Sequence, residues 1–250
     1  MPSVTPHPQR IAHGYGNSRS NLALALEGPV DYIEADVWYQ DGRVAVRHER
    51  KLTPLPLLFD QKHKGHAGHG PGPYGLSLVR WYIKLQFRSL YLEEVLALAR
   101  GRRRLVLDVK WNPSGRQSAF ARALAQTVRL AGMADNVTFC GQNWSVLDRL
   151  RAIDLGLSVR YSIGVQRQLA AFGQVPQDES LRGVCLKRDL LSPERIDIFK
   201  RRGLDIWTWT VDDLEQAHEL LAMGIDGIIS NRLDVLGALS EAPAEPSLQG

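Results

Sequence analysis

Short apolar runs and amphipathic stretches alternate along almost the whole of this chain, and few folds accommodate that rhythm. The runs Arg10–His13, Tyr32–Tyr39, Arg104–Trp111, Val137–Gly141, Leu157–Tyr161, Gly183–Lys187, Leu204–Thr210 and Gly227–Ser230 read as strands. Tyr91–Ala99, Arg116–Ala131, Trp144–Ile153, Pro193–Arg202 and Leu214–Met223 carry helical periodicity, and Gly101, Gly132, Gly203 and Gly224 stand just past the last apolar turns as stop signals. Strands separated by helices call for a parallel sheet, and eight is the count that closes a barrel. The predicted fold is therefore α/β, a single (β/α)8 TIM barrel. An open doubly wound sheet is the competing topology, but the glycine-rich dinucleotide fingerprint is absent.

Two hundred and fifty residues suffice for one such barrel, and the apolar share of 44% supplies its core. The barrel is expected to occupy residues 1–240, with a disordered tail over 241–250, where periodicity stops. A net charge of +4 is too small to argue for nucleic acid and suits an anionic substrate or lipid surface. Two cysteines, Cys140 and Cys185, give no disulfide framework. Met1–Arg10 lacks a signal-peptide core and no run is long enough to span a bilayer, so a cytoplasmic protein is expected.

One segment breaks the rhythm. Residues 52–89 are too long for an ordinary connection and are expected to form an inserted active-site loop. Its first part is rich in Gly, Pro and His, and His63, His66 and His69 read as a polar lid in preference to a transition-metal tract. Its second part, Leu76–Tyr91, interleaves Trp81, Ile83, Leu85 and Phe87 with Arg80, Lys84 and Arg88. That pattern fits either transient contact with a membrane surface or a helix packed over the barrel.

The chemistry-bearing residues sit at strand ends. Side chains alternate along a strand, so Glu34 and Asp36 share a face opposite Ile33, Ala35 and Val37. Asp108 and Lys110 likewise share a face opposite Leu107 and Val109. Three carboxylates and one lysine inside a barrel mouth are costly unless paired or bound to a cation. The alternatives are a salt-bridge network around Lys110 and a divalent metal site; hard oxygen ligands suit Mg²⁺ first, or Ca²⁺, and not zinc. His13 ends the first strand and His48 ends the run after the carboxylate strand, where barrel enzymes keep groups that transfer protons.

With these residues in place, the chain resembles the glycerophosphodiester phosphodiesterase family of the phospholipase-C-like barrel superfamily. The stretches that carry the resemblance are Ile11-Ala-His13-Gly, Ile33-Glu34-Ala-Asp36-Val37, Asp41-Gly-Arg-Val-Ala-Val-Arg-His48, Leu105-Val-Leu-Asp108-Val-Lys110, Trp207-Thr-Trp209-Thr-Val211-Asp212 and Gly224-Ile-Asp226-Gly-Ile-Ile-Ser230-Asn231. The resemblance implies cleavage of glycerophosphodiesters to a glycerol phosphate and an alcohol. It implies His13 and His48 as the catalytic pair, Glu34, Asp36 and Asp108 as ligands of one divalent cation, Lys110 on phosphate and Trp209 in the substrate pocket. The family's arginine after the first histidine is here Gly14, its loop glutamate is replaced at about Ser20, Glu49 stands for the usual Asp, and Asp108 for the usual Glu. Those departures, with Asn231, are similar to the sphingomyelinase-D-like phospholipase D branch, which implies lysophospholipid or sphingolipid substrates and a cyclic phosphate product. A non-catalytic phosphodiester-binding barrel is the reading from another class.

Overall fold

The computed structural model describes residues 7–52, 55–61, 75–77, 79–86, 88–110 and 115–239. The barrel strands are β1 (Gln9–Ala12), β2 (Tyr32–Gln40), β3 (Arg104–Val109), β4 (Val137–Cys140), β5 (Ser158–Ile163), β6 (Leu181–Lys187), β7 (Asp205–Trp209) and β8 (Gly227–Ser230). Each pairs in parallel with the next, and β1 pairs with both β2 and β8, so the sheet closes on itself. All eight lie within a few residues of the runs the sequence marks out.

Helices α1 (Arg19–Glu27), α2 (Leu92–Ala99), α3 (Gln117–Leu130), α4 (Trp144–Ile153), α5 (Gln166–Phe172), α6 (Pro193–Arg201), α7 (Leu214–Ala222) and α8 (Leu233–Ala238) follow the strands in turn. Their starts obey local chemistry: Ser18, Ser192 and Asp213 accept backbone amides from the first turns of α1, α6 and α7, and Pro193 opens α6. The periodicity of α1, α5 and α8 escapes a sequence reading. Only Phe172 is buried in α5, too little to stamp a repeat on seven residues.

Apolar side chains between strands and helices form the larger core. A second cluster, with Ile11, Tyr32, Val106, Trp207 and Ile229 among its members, fills the barrel interior. Arg160, itself buried, lies 3.8 Å over the Trp207 ring and completes this plug. The open part of the barrel is thereby confined to the strand C-termini.

After β2 the chain turns at Asp41-Gly42, both at positive φ, into Arg43–Val46, which runs antiparallel to the end of β2. The insertion that follows is ordered in its described parts as a second sheet. Its strands are Arg50–Leu52, Leu57–Gln61, Trp81–Leu85 and Gly75–Ser77, in that order and all antiparallel. This corrects the expectation of a loop, and equally that of a helix over Leu76–Tyr91. The cause is visible in the register: Tyr82 is buried while Trp81 is exposed, a period of two along the strand. Buried Glu49 holds the sheet to the barrel by accepting the Tyr82 hydroxyl at 2.9 Å and pairing with Lys84. His63, His66, His69, Phe87 and the tail 241–250 lie outside the described residues.

Candidate active site

A cavity of about 550 Å³ opens at the C-terminal ends of the strands, and His13, Glu34, His48, Asp108, Lys110 and Trp209 all line it. Ligand oxygens of Glu34, Asp36 and Asp108 lie within 4.8 Å of one another. Strand register explains this: Asp36 stands beside Asp108 across β2 and β3, and Glu34 lies one inward position below Asp36. Gly141 is required here, since a Cβ at its positive φ would come within 2.9 Å of the Asp108 carboxylate and 2.8 Å of the Val109 carbonyl.

Lys110 bridges two of the three acids, with Nζ 2.5 Å from Asp36 Oδ1 and 2.5 Å from Asp108 Oδ2. Glu34 is placed differently. Its Oε2 accepts the Gly14 amide at 2.6 Å, but Oε1 is buried with no hydrogen-bond partner among the described residues. Burial first, then the Asp36 and Asp108 charges, push the Glu34 carboxyl well above its usual range against Lys110. Burial also raises Asp108, whereas the Lys110 and His48 charges overcome burial to hold Asp36 well below. A salt-bridge network around Lys110 therefore accounts for two carboxylates and leaves one oxygen of the third without a partner among the described residues. A divalent cation fits this donor set: oxygen ligands, a negative excess and one buried oxygen lacking a partner.

The two histidines are oriented by different partners. Asn231 donates Nδ2 to Asp212 Oδ2 at 2.7 Å, so its Oδ1 faces His13 Nδ1 at 3.0 Å. That amide orientation places a proton on His13 Nδ1. His48 Nδ1 instead meets the Asp60 carboxylate, contributed by the insertion strand Leu57–Gln61. Burial pulls the His48 pKa down, but the Asp60 hydrogen bond and the Asp36 charge outweigh it and hold the imidazolium above its ordinary range.

Several positions that serve the site escape a sequence reading. Asn17 clasps Asp36 from both sides, donating Nδ2 to Oδ2 at 2.5 Å and accepting the Asp36 amide at 2.9 Å. Asn143 donates to the Lys110 carbonyl at 3.1 Å. Asp212 also takes the Ser230 hydroxyl and the Asn231 amide. None of these has a periodic signal; they are found through tertiary pairing alone.

Comparison with known proteins bears on what such a site does. Residues 106–235 match the model of the glycerophosphoryl diester phosphodiesterase family. A Mycobacterium tuberculosis (strain ATCC 25618 / H37Rv) protein named "Probable glycerophosphodiester phosphodiesterase 2" is 40% identical over 244 residues, covering 88% of this chain and 83% of its own. The chain belongs to the glycerophosphoryl diester phosphodiesterase family. Its fold is shared with a glycerophosphodiester phosphodiesterase from Parabacteroides distasonis ATCC 8503 (TM-score 0.70, 20% identity, 94% of this chain and 99% of that one). It is shared too with an Oleispira antarctica phosphodiesterase solved with the product sn-glycerol-3-phosphate (TM-score 0.67, 17% identity, 94% and 97%).

For a member of this family the departures at Gly14 and Ser20 acquire a structural meaning. Gly14, at positive φ, donates its backbone amide to Glu34, and a Cβ there would face Asn17 Nδ2 at 3.5 Å. Ser20 lies exposed in the first turn of α1 and is not on the cavity wall. Among the described residues no helix is long and apolar enough to cross a membrane.

Proposed function

We propose that this glycerophosphodiester phosphodiesterase uses His13 as base and His48 as acid around a divalent cation, Mg²⁺ before Ca²⁺, held by Glu34, Asp36 and Asp108. The single observation that carries the reading is the pairing of an orphaned carboxylate oxygen, Glu34 Oε1, with two histidines held by different partners on one cavity. When bound, the cation supplies Lewis-acid neutralisation of the phosphate oxygens. His13 Nε2 takes the proton of the attacking hydroxyl. His48, kept charged by Asp60, gives its proton to the leaving alcohol. Lys110 presents its ammonium to the phosphate, and Trp209 walls the pocket beside it.

The attacking hydroxyl belongs either to water or to the substrate. Lysophospholipids and glycerol diesters carry a hydroxyl near phosphorus, and an internal nucleophile has a large effective concentration. The absence of the arginine at Gly14 and the glutamate at Ser20 leaves fewer groups to position water, which favours some cyclic phosphate. The exposed Leu76, Trp81 and Leu85 of the insertion sheet, beside Arg80 and Arg88, support contact with an anionic lipid surface. Turnover of glycerophosphoethanolamine, followed by release of ethanolamine, tests the reading. Release that is abolished in His13→Ala supports it, and a chain inert towards every diester is instead a binding barrel.

A further inference from the structure

In the closed strand order β5 stands across the barrel from β1, so the loop after β5 faces His13 over the cavity mouth. That loop leads into Arg167, an exposed cation on the cavity wall that none of the proton transfers above uses. Arg167 makes no ion pair among the described residues, whereas Lys110 pairs with Asp36 and Asp108. The described acids on the wall, Glu34 and Asp108, both belong to the carboxylate triad. The remaining polar wall beside Arg167 is neutral and held in place. Gln168 Oε1 accepts the amides of Gly164 at 2.7 Å and Val165 at 3.1 Å, and its Nε2 donates to Gln142 Oε1 at 3.4 Å. Gly164 leaves room for this pair, since a Cβ there would lie 3.0 Å from Gln142 Nε2.

We infer that Arg167, seated beside the clamped Gln142 and Gln168, is a subsite for a second negative charge on one arm of the diester. The inference rests on the phosphodiesterase reading and adds the class of substrate. A guanidinium fork matches a carboxylate or phosphate in two parallel hydrogen bonds, and Gln168 beside it, already held by two backbone amides, loses little entropy on contact. A choline or ethanolamine arm would need a carboxylate or an aromatic cage, and among the described wall residues Trp209 is the one aromatic ring. The site therefore prefers diesters bearing an additional carboxylate or phosphate to those bearing an ammonium.

The test uses the full chain with Mg²⁺ and matched diesters of glycerol phosphate whose other arm is glycolate, ethanol or choline. A second set carries glycerate in place of glycerol. In one of the two sets the carboxylate should raise kcat/KM at least about tenfold over the neutral arm, the worth of one charge-assisted contact. Arg167→Gln should erase that preference, and Arg167→Lys should restore part of it. Comparing wild type with variant on each substrate cancels differences in leaving-group reactivity. An equal loss on all substrates would place Arg167 on the scissile phosphate and overturn the subsite, as would no preference in either set. Calorimetric binding of phosphoglycolate against ethyl phosphate reads the subsite without turnover. Discrimination that persists in an inert protein contradicts the diesterase reading alone, and turnover without discrimination contradicts the subsite alone. Absence of both overturns both.

Discussion

At Glu34 one oxygen accepts the Gly14 amide while the other is buried without a partner among the described residues, and the carboxyl is pushed up by burial and by its two acidic neighbours. A raised carboxyl destabilises the native state as pH rises from the unfolded value, about 4.3, towards the folded one. In cation-free protein at neutral pH, Glu34→Gln should therefore raise stability by about 1–2 kcal/mol, a shift of a few degrees in Tm. The gain should vanish below pH ~4, and the variant should lose the Tm rise that Mg²⁺ gives wild type. A variant less stable than wild type without cation would mean that Oε1 has a partner. The histidines should fail differently. A p-nitrophenol leaving group needs little protonation, so it should recover much of a loss of about 10²- to 10⁴-fold in His48→Ala but not in His13→Ala. Equal recovery in both would show the roles to be shared. Glu34, Asp36 and Asp108 were legible because alternation along a strand fixes which side chains share a face. Asn17 and Asp60 were not, because each owes its place to a partner outside its own element and follows no period; Arg167 was not, because it meets the cavity only once the barrel has closed.

The same contrast holds for whole elements. The barrel strands announce themselves because burial on both faces demands continuous apolar runs, as in Leu105–Val109 and Gly227–Ser230. The insertion strands are three to five residues long with one face in solvent, and their Gly- and Pro-rich surroundings read as loop. This second sheet nonetheless reaches the chemistry, since its Asp60 holds His48. Asp60→Asn removes a hydrogen bond that favours the charged imidazole, so the His48 pKa should fall. His48 must carry its proton to act as acid, so the alkaline limb of the pH–rate profile should move to lower pH; an unmoved limb would assign it to another group. The outer edge of the sheet has a separate task. Leu76→Ser with Trp81→Ser should lower activity on lysophospholipid aggregates about tenfold by removing apolar surface from the lipid boundary, while a small soluble diester is cleaved as before. Parallel loss on both substrates would make the sheet part of the barrel's packing.

Across the whole molecule, the interior plug around Trp207 and the antiparallel extension of β2 confine the open volume to one end of the barrel. The carboxylate triad, both histidines and Lys110 converge there from β1, β2, β3 and the segment after Arg43–Val46. The closed barrel was legible in the spacing of its strands; the neutral, acid-poor wall beside Arg167 is a property of the assembled mouth and of no single stretch. On the proposed mechanism, diester cleavage by the two histidines requires a cation at Glu34, Asp36 and Asp108. Phosphorus NMR of chelator-treated protein with glycerophosphoethanolamine, recorded before and after adding Mg²⁺, measures this directly. The expected result is an unchanged diester resonance before the addition and its replacement by a phosphate monoester or a cyclic phosphate afterwards, with no such change in Asp36→Asn. Conversion that proceeds equally well in the chelator, or a diester that survives both Mg²⁺ and Ca²⁺, would contradict it.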